Sequence, residues 1–158
     1  MKILLLIFLV ACGPAQKDPP YNYHLMQGTR TAFIAVAGAV NPAMGFELIK
    51  EGENQAVTIE LNTAAVLDFQ KTSTPGTIAF CSGNHIYIHE GVAKYDTFPF
   101  FVAIMMHEIG HSLGLDHNDA DPLSIMNKDV QADTISTEDA ARSLKKELCS
   151  QLNFHCGS

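Results

Sequence analysis

The stretch that says most about the fold and chemistry of this chain is HEIGHSLGLDH, residues 107–117. On an α-helix, residues four positions apart lie on the same face about one turn apart, so His107 and His111 would present their imidazoles side by side. Glu108 is rotated by about 100° from His107, which leaves its carboxylate beside that face without making it a ligand. The spacing therefore predicts a helix whose two imidazoles bind one metal ion.

The residues after this helix supply a third nitrogen ligand. Gly114 can adopt a left-handed backbone conformation without a Cβ clash, so it can end the helix and turn the chain back. His117 would then reach the same metal ion as His107 and His111. Three protein ligands leave a fourth position for water, as in catalytic zinc sites. Glu108 would lie where a general base takes a proton from that water, so the pattern predicts a zinc-dependent hydrolase.

The complete pattern, H-E-x-x-H-x-x-G-x-x-H, resembles the zinc-binding motif of the metzincin metallopeptidases. Within that clan, HEIGHSLGLDHN at residues 107–118 is most similar to the zinc helix of the matrixins. Downstream, SIMN at residues 124–127 resembles the metzincin Met-turn, in which a methionine forms an apolar floor under the imidazoles. The resemblance implies this role for Met126. The alternative is an ordinary loop methionine in a chain that has six.

The resemblance implies a zinc endopeptidase with an α+β fold. The expected metzincin-like domain has a small, twisted, mostly parallel sheet with an antiparallel edge strand, a backing helix, the zinc-site helix and a C-terminal helix. One catalytic Zn²⁺, a protein or peptide substrate and a monomeric domain are expected. The rival hypothesis is a noncatalytic metzincin-fold lipoprotein of the cell envelope that acts as a binding scaffold. An intact Glu108 argues against this rival, because a scaffold needs no base beside the metal.

Local patterns predict three helices of that plan. The apolar, alanine-rich run 29–40 predicts the backing helix, with Asn41-Pro42 as its stop. The zinc helix is expected to begin at Thr97 or Phe98, because Pro99 is tolerated in a first turn. The C-terminal helix is expected over residues 140–148, after an N-cap at Ser136.

Four short runs predict strands: 46–50, 56–61, 77–81 and 85–89. The last two are expected to form a hairpin, because turn residues at 82–84 join them. In matrixins the first strand of this hairpin is the edge strand that lines the cleft. The resemblance therefore implies that residues 77–81 pair with a bound peptide through main-chain hydrogen bonds.

Four further histidines lie outside the motif. His85 and His89 are four residues apart on a predicted strand and hence share a face. Matrixins carry a second, structural zinc in this region, but its other ligands are not evident here, and Asp96 is the nearest candidate. A second zinc is therefore not expected. His24 and His155 are interpreted as surface residues.

The first residues predict export. Residues 1–11 combine a charged start with an apolar run too short to span a membrane, which takes about 20 residues, so they are typical of a signal peptide. The end of this run, LVAC at residues 9–12, resembles a bacterial lipobox and implies lipidation of Cys12, for example with palmitate. The alternative is an ordinary signal peptide cut nearby. Because Gly13 and not aspartate follows, the analogy implies an outer-membrane lipoprotein.

Three segments are therefore expected: a signal peptide over 1–11, a lipid-anchored flexible tether over 12–22 and a catalytic domain over 23–158. Residues 13–20 contain three prolines and no apolar cluster, which is typical of a tether. The formal net charge of -7 argues against nucleic acid and anionic lipid as partners.

The cysteines fit an oxidising compartment. Cys149 and Cys156 are seven residues apart, so a disulfide between them would fold the tail back onto the last helix. With Cys12 lipidated, Cys81 would then be a buried free thiol. A bridge from Cys81 to the tail is the alternative.

Overall fold

The computed structural model describes residues 12, 18–129, 134–152, 154 and 156. The predicted signal peptide, Gly13 and His155 lie outside the described residues. In chain order the elements are β1 (Tyr21–Leu25), α1 (Arg30–Met44), β2 (Ile49–Glu51), β3 (Val57–Leu61), α2 (Thr63–Thr72), β4 (Ala79–Ser82), β5 (His85–Ile88), α3 (Glu90–Tyr95), α4 (Phe98–Ser112) and α5 (Thr137–Leu152).

The five strands form one sheet in the order β2-β1-β3-β5-β4. β1 pairs in parallel with β2 and β3, and β3 pairs in parallel with β5. Only β4 runs antiparallel, and it lies at the edge beside β5, with Ala79 opposite Ile88 and Ser82 opposite His85. The α+β class, the mostly parallel sheet and the antiparallel edge strand are confirmed.

The helix that carries the histidine motif lies in the core. α4 contacts α1, α5 and the hairpin strands β4 and β5, and residues 101–110 are all buried. A helix that is apolar on every side is stable only when it is enclosed in this way. A buried hydrogen bond of 2.7 Å between the Tyr23 hydroxyl and Ser112 Oγ ties β1 to the last turn of α4. The sheet therefore fixes the end of the helix from which the third ligand loop leaves.

The backing helix is longer than expected. α1 continues through Pro42 and ends only at Gly45, whose φ of 83° is left-handed and whose N–H bonds to the carbonyls of Asn41 and Pro42. The predicted stop at Asn41-Pro42 is wrong. The Asn41 side chain instead anchors β2, because its Oδ1 accepts from the backbone N–H groups of Leu48 and Ile49.

The sheet also begins earlier than the expected domain boundary. Tyr21 and Tyr23 of β1 are buried, although residues 21 and 22 had been assigned to the tether. The first strand follows directly on the proline-containing residues 18–20. The prediction of a flexible tether up to residue 22 is therefore wrong for its last two residues.

The observed bounds of the remaining predicted elements differ from the predicted bounds by at most a few residues. The first predicted strand, 46–50, is observed as Ile49–Glu51, and the last, 85–89, ends at Ile88. α4 begins at Phe98 with Thr97 as its N-cap, as predicted. Two helices, α2 and α3, were not predicted. Among the described residues, no helix combines the length and the apolar character needed to cross a bilayer.

The four cysteines form two disulfides, Cys12–Cys81 and Cys149–Cys156. The second of these is the pairing expected between α5 and the tail. The expectation of a free thiol at Cys81 is wrong in this structure, because its sulfur is bonded to Cys12. Lipidation would use the same sulfur atom of Cys12, so this disulfide and the predicted lipid exclude each other.

Candidate metal centre

Three imidazoles converge at the end of α4. The Nε2 atom of His111 lies 3.0 Å from Nε2 of His107 and 3.1 Å from Nε2 of His117. His107 is buried and His117 is exposed, so the cluster lies at the protein surface with one open side. No other group of three metal-ligating side chains comes together within the described residues.

The hydrogen bonds of two of these histidines decide which ring nitrogen carries the proton. His107 Nδ1 lies 2.7 Å from the carbonyl oxygen of Ile125, and His111 Nδ1 lies 2.8 Å from that of Leu115. A carbonyl oxygen only accepts, so Nδ1 must donate in both rings. Burial, followed by the neighbouring His111, lowers the pKa of His107 to about 3, and burial also lowers the pKa of His111. Both rings are therefore neutral near pH 7 and direct the lone pair of Nε2 into the cluster.

This arrangement fits a metal ion. Lone pairs held about 3 Å apart repel one another unless a cation lies between them. Neutral imidazole nitrogens are suitable ligands for zinc, and a carbonyl partner on the other ring nitrogen is the usual way to orient them. The triad of His107, His111 and His117 is thus positioned to bind one metal ion.

The turn after α4 orients both the second and the third ligand. Gly114 has a φ of 100°, its N–H bonds to the carbonyl of His111, and the N–H of Leu115 bonds to the carbonyl of Gly110. This pair of bonds is a Schellman motif, in which a glycine reverses the chain at a helix end. The carbonyl of Leu115 then accepts from His111 Nδ1, and the chain continues to His117. One turn therefore orients His111 and delivers His117.

The segment predicted to be the Met-turn packs against α4. Met126 is fully buried, and its sulfur packs so closely on Gly110 that an added Cβ at that position would collide with it. Ile125, the residue before it, provides the carbonyl that orients His107. The backbone N–H of Asn118 bonds to the carbonyl of Met126 across 2.9 Å, which holds the turn against the segment after His117.

Glu108 lies next to His107 on the chain and is only 5% exposed. Its Oε2 atom is buried and has no hydrogen-bond partner among the described residues. Burial raises the pKa of this carboxyl group to about 8. Leaving such an atom without a partner costs free energy, so Glu108 is a candidate for a functional rather than a stabilising role.

The histidines outside the motif have other partners. His24 Nδ1 lies 2.9 Å from Glu53 Oε1, and His85 Nδ1 lies 2.9 Å from Asn84 Oδ1. His89 lies beyond the end of β5 and caps α3, because its Nδ1 accepts from the N–H of Gly91. The structure therefore does not bring His85 and His89 together on one strand.

Several residues around the site were not predicted from the sequence. Gly110 gave a weak signal, since a glycine inside a helix usually marks a close contact. Three polar residues of α5, at intervals of four, contact the site's supporting loops: Ser143, Glu147 and Gln151. Their spacing was visible in the sequence, but nothing in the sequence identified their partners, which lie 18 to 35 positions away.

Comparison with known proteins agrees with this geometry. The sequence profile of the matrixin family matches residues 29–145, which is more than half of the chain and includes the whole of α4 and the three converging histidines. No curated protein and no solved structure gives a match to the chain. The matched region contains the zinc-ligand set on which matrixin chemistry depends. The chain therefore belongs to the matrixin family of zinc metallopeptidases.

Proposed function

We propose that this protein is an endopeptidase that hydrolyses peptide bonds within proteins, with Glu108 as its general base. The observation that carries the proposal is the burial of Glu108: its Oε2 has no hydrogen-bond partner among the described residues, and the residue directly follows the first zinc ligand, His107, in the chain. A protein that used zinc only to hold its shape would have no need of this costly group.

In the proposed reaction, three histidines bind the metal ion and Glu108 transfers the proton. His107, His111 and His117 would hold the zinc ion, which would supply a Lewis acid for the scissile carbonyl and lower the pKa of a nearby water. Glu108 accepts a proton at Oε2 from the attacking water and then donates it to the leaving amine. His107 and His111 are neutral because burial lowers the pKa of both rings, and their Nδ1 protons are donated to backbone carbonyls.

The edge strand β4 supports binding of an extended peptide. It is the last strand of the sheet, so one of its edges pairs with β5 and the other is an outer edge, and it contacts α4, the helix that carries His107 and His111. A peptide that added itself to this edge would gain main-chain hydrogen bonds without regard to its sequence. Cys81 on β4 is bonded to Cys12, so Cys12 lies at this strand.

The experiment that tests the proposal is digestion of a proteome-derived peptide library by the purified mature chain. We expect cleavage within peptides, and we expect a zinc chelator to abolish it. The rival hypothesis of a binding scaffold predicts no cleavage of any peptide at any zinc concentration. Removal of single residues from peptide ends would contradict the endopeptidase assignment in particular.

We further propose that the protein is exported and anchored to the outer membrane by a lipid on Cys12. The support is the leader over residues 1–11 and its lipobox-like end. Both states of Cys12, lipidated or paired with Cys81, are typical of proteins outside the reducing cytosol, which supports the proposal of export. Intact mass of the mature protein separates them: we expect the mass of a diacylglycerol and fatty acid on Cys12 and a free thiol at Cys81, and an unmodified disulfide-bonded chain would contradict the anchor.

A further inference from the structure

One face of α5 carries polar side chains that reach the metal centre's supporting loops. Ser143, Glu147 and Gln151 are spaced by four, so they form a single row along the helix. Buried apolar residues, Leu144 and Leu148, lie beside this row and pack into the core. The row is therefore set at the boundary between the core and the loops that follow α4.

Glu147 is the centre of the row. It is only 2% exposed, and its Oε1 accepts from Ser124 Oγ at 2.6 Å and from Asn118 Nδ2 at 2.8 Å. Its Oε2 accepts from Gln151 Nε2 at 3.0 Å. Burial raises the pKa of Glu147, but these three hydrogen bonds outweigh burial and hold the pKa below its usual value. The side chain is thus an ionised acceptor with every partner in place.

The partners of Glu147 belong to the two segments that orient the zinc ligands. Ser124 precedes Ile125, whose carbonyl orients His107, and Ser124 Oγ also accepts from the N–H of Met126 at 3.0 Å. Asn118 directly follows the third ligand, His117. Glu147 therefore joins the Met-turn and the third-ligand segment through one carboxylate.

The two neighbours in the row hold the same segments. Ser143 Oγ accepts from the backbone N–H of Ile125 at 2.8 Å. Gln151 Oε1 accepts from the backbone N–H of Asp116 at 3.0 Å, on the other side of His117 from Asn118. The segment around His117 is consequently fixed from both sides by α5.

We propose that Glu147 is a positioning residue that sets the zinc-binding geometry. Through its hydrogen bonds to Asn118 and Ser124, it holds His117 and the hydrogen bond between His107 and Ile125 in place. The chemistry favours this role over plain stabilisation. A buried carboxylate costs free energy that an apolar residue at the same position would avoid, and what it adds is a fixed set of directed hydrogen bonds. The inference rests on the proposed function only in that the three histidines bind zinc.

Glu147→Gln tests this inference, because it keeps the size of the side chain and replaces one acceptor oxygen by a donor. Glu138→Gln is the matched control, since Glu138 is an exposed residue of the same helix. Zinc affinity is measured by chelator competition on the full mature chain, well below the melting temperature of each variant. The absorption spectrum of the cobalt-substituted protein reports ligand geometry independently of peptidase activity.

We expect Glu147→Gln to weaken zinc binding by about tenfold and to shift the cobalt absorption bands, as substitutions behind metal ligands do. Glu138→Gln should change neither. A folded Glu147→Gln protein with wild-type zinc affinity and an unchanged cobalt spectrum would overturn the inference, even if its melting temperature were lower, since that is the behaviour of a merely structural residue.

Gln151→Ala keeps the inference testable if Glu147→Gln does not fold. Gln151 is exposed, so its truncation leaves the core intact. It should weaken zinc binding by roughly threefold, which is the effect of losing one ordinary hydrogen bond, and unchanged affinity would count against the inference. A wild-type chain that binds zinc but cleaves no peptide would remove the proposed function and leave this inference standing.

Discussion

His107 and Ile125 are joined by a hydrogen bond of 2.7 Å from the imidazole Nδ1 to the backbone carbonyl. This bond connects the buried helix α4 to the Met-turn, 18 residues further along the chain. It fixes the rotation of the ring and leaves Nε2 as the ligand atom. The backbone carbonyl of Ile125 therefore orients the His107 side chain for metal binding.

Each of the three converging histidines should be required for zinc. Replacing His107, His111 or His117 by alanine removes one of only three protein ligands, so we expect loss of most bound metal. His24→Ala is the control, because His24 pairs with Glu53 away from the cluster. Metal content after dialysis is the measurement. A full equivalent of zinc in His111→Ala would remove that residue from the ligand set.

Gly114→Ala should weaken zinc binding as well as the fold. Its left-handed φ of 100° costs a residue with a Cβ about 1–2 kcal/mol, and relaxation of the turn would move the Leu115 carbonyl that orients His111. Gly76→Ala is the matched control, since Gly76 also has a positive φ and lies in a loop with open space around it. Both variants should lose similar stability in urea titrations, but only Gly114→Ala should lose zinc affinity. Equal zinc affinity in the two would contradict the role of the turn.

Gly110→Ala tests the packing of the Met-turn on α4. The added Cβ would collide with Met126 Sδ and lie 3.2 Å from Leu144 Cδ1. Overpacking of this kind costs about 1–3 kcal/mol, more than the roughly 1 kcal/mol that removing a helical glycine returns. Gly38→Ala is the control in α1, where an added Cβ meets nothing within 4 Å. We expect the melting temperature to fall for Gly110→Ala and to rise for Gly38→Ala, and a rise in both would show that the contact is loose.

Glu108→Gln should stabilise the zinc-free protein in a pH-dependent way. The pKa of Glu108 is raised from 4.5 to about 8 in the folded state, so its cost is absent below pH 4.5, grows as the pH rises, and levels off above pH 8. Each pKa unit corresponds to about 1.4 kcal/mol, so the variant should gain on the order of a few kcal/mol at pH 8.5 and little at pH 5. Denaturant unfolding in the presence of a chelator measures this gain. A gain that is equal at both pH values would show that the carboxyl group is not buried as described.

The sequence was most informative where the structure is local. The end of α4, the reversal at Gly114 and the start at Phe98 follow from helix periodicity, glycine stereochemistry and capping, which act over a few residues. The strand β1 was missed although Tyr21 and Tyr23 alternate with polar residues, because it directly follows the prolines of the predicted tether. α2 was missed because only Val66 of that helix is buried, which leaves no clear apolar stripe.

The long-range hydrogen bonds that support the metal centre could not be predicted from local sequence patterns. The bonds from Glu147 to Asn118 and Ser124 span 29 and 23 residues, and they depend on how α5 packs against α4. A glutamate in this helix is typical of a solvent-exposed face, and only tertiary packing makes it a buried acceptor. In α1 the local rules were wrong in the other direction: the helix continues through Pro42 to Met44 although the sequence predicts its end at Asn41-Pro42, and the Asn41 side chain bonds to the carbonyl of Ile49.

The most direct test of the account compares the wild type with Glu108→Gln for zinc content and peptide cleavage on the same preparations. The three histidines are unchanged in the variant, so both proteins should bind one equivalent of zinc. Cleavage should be detectable in the wild type alone, with a loss of at least about a hundredfold in the variant, because the proton acceptor of the reaction is missing. Turnover by Glu108→Gln at the wild-type rate, or a zinc-loaded wild type that cleaves no peptide, would contradict the central claim.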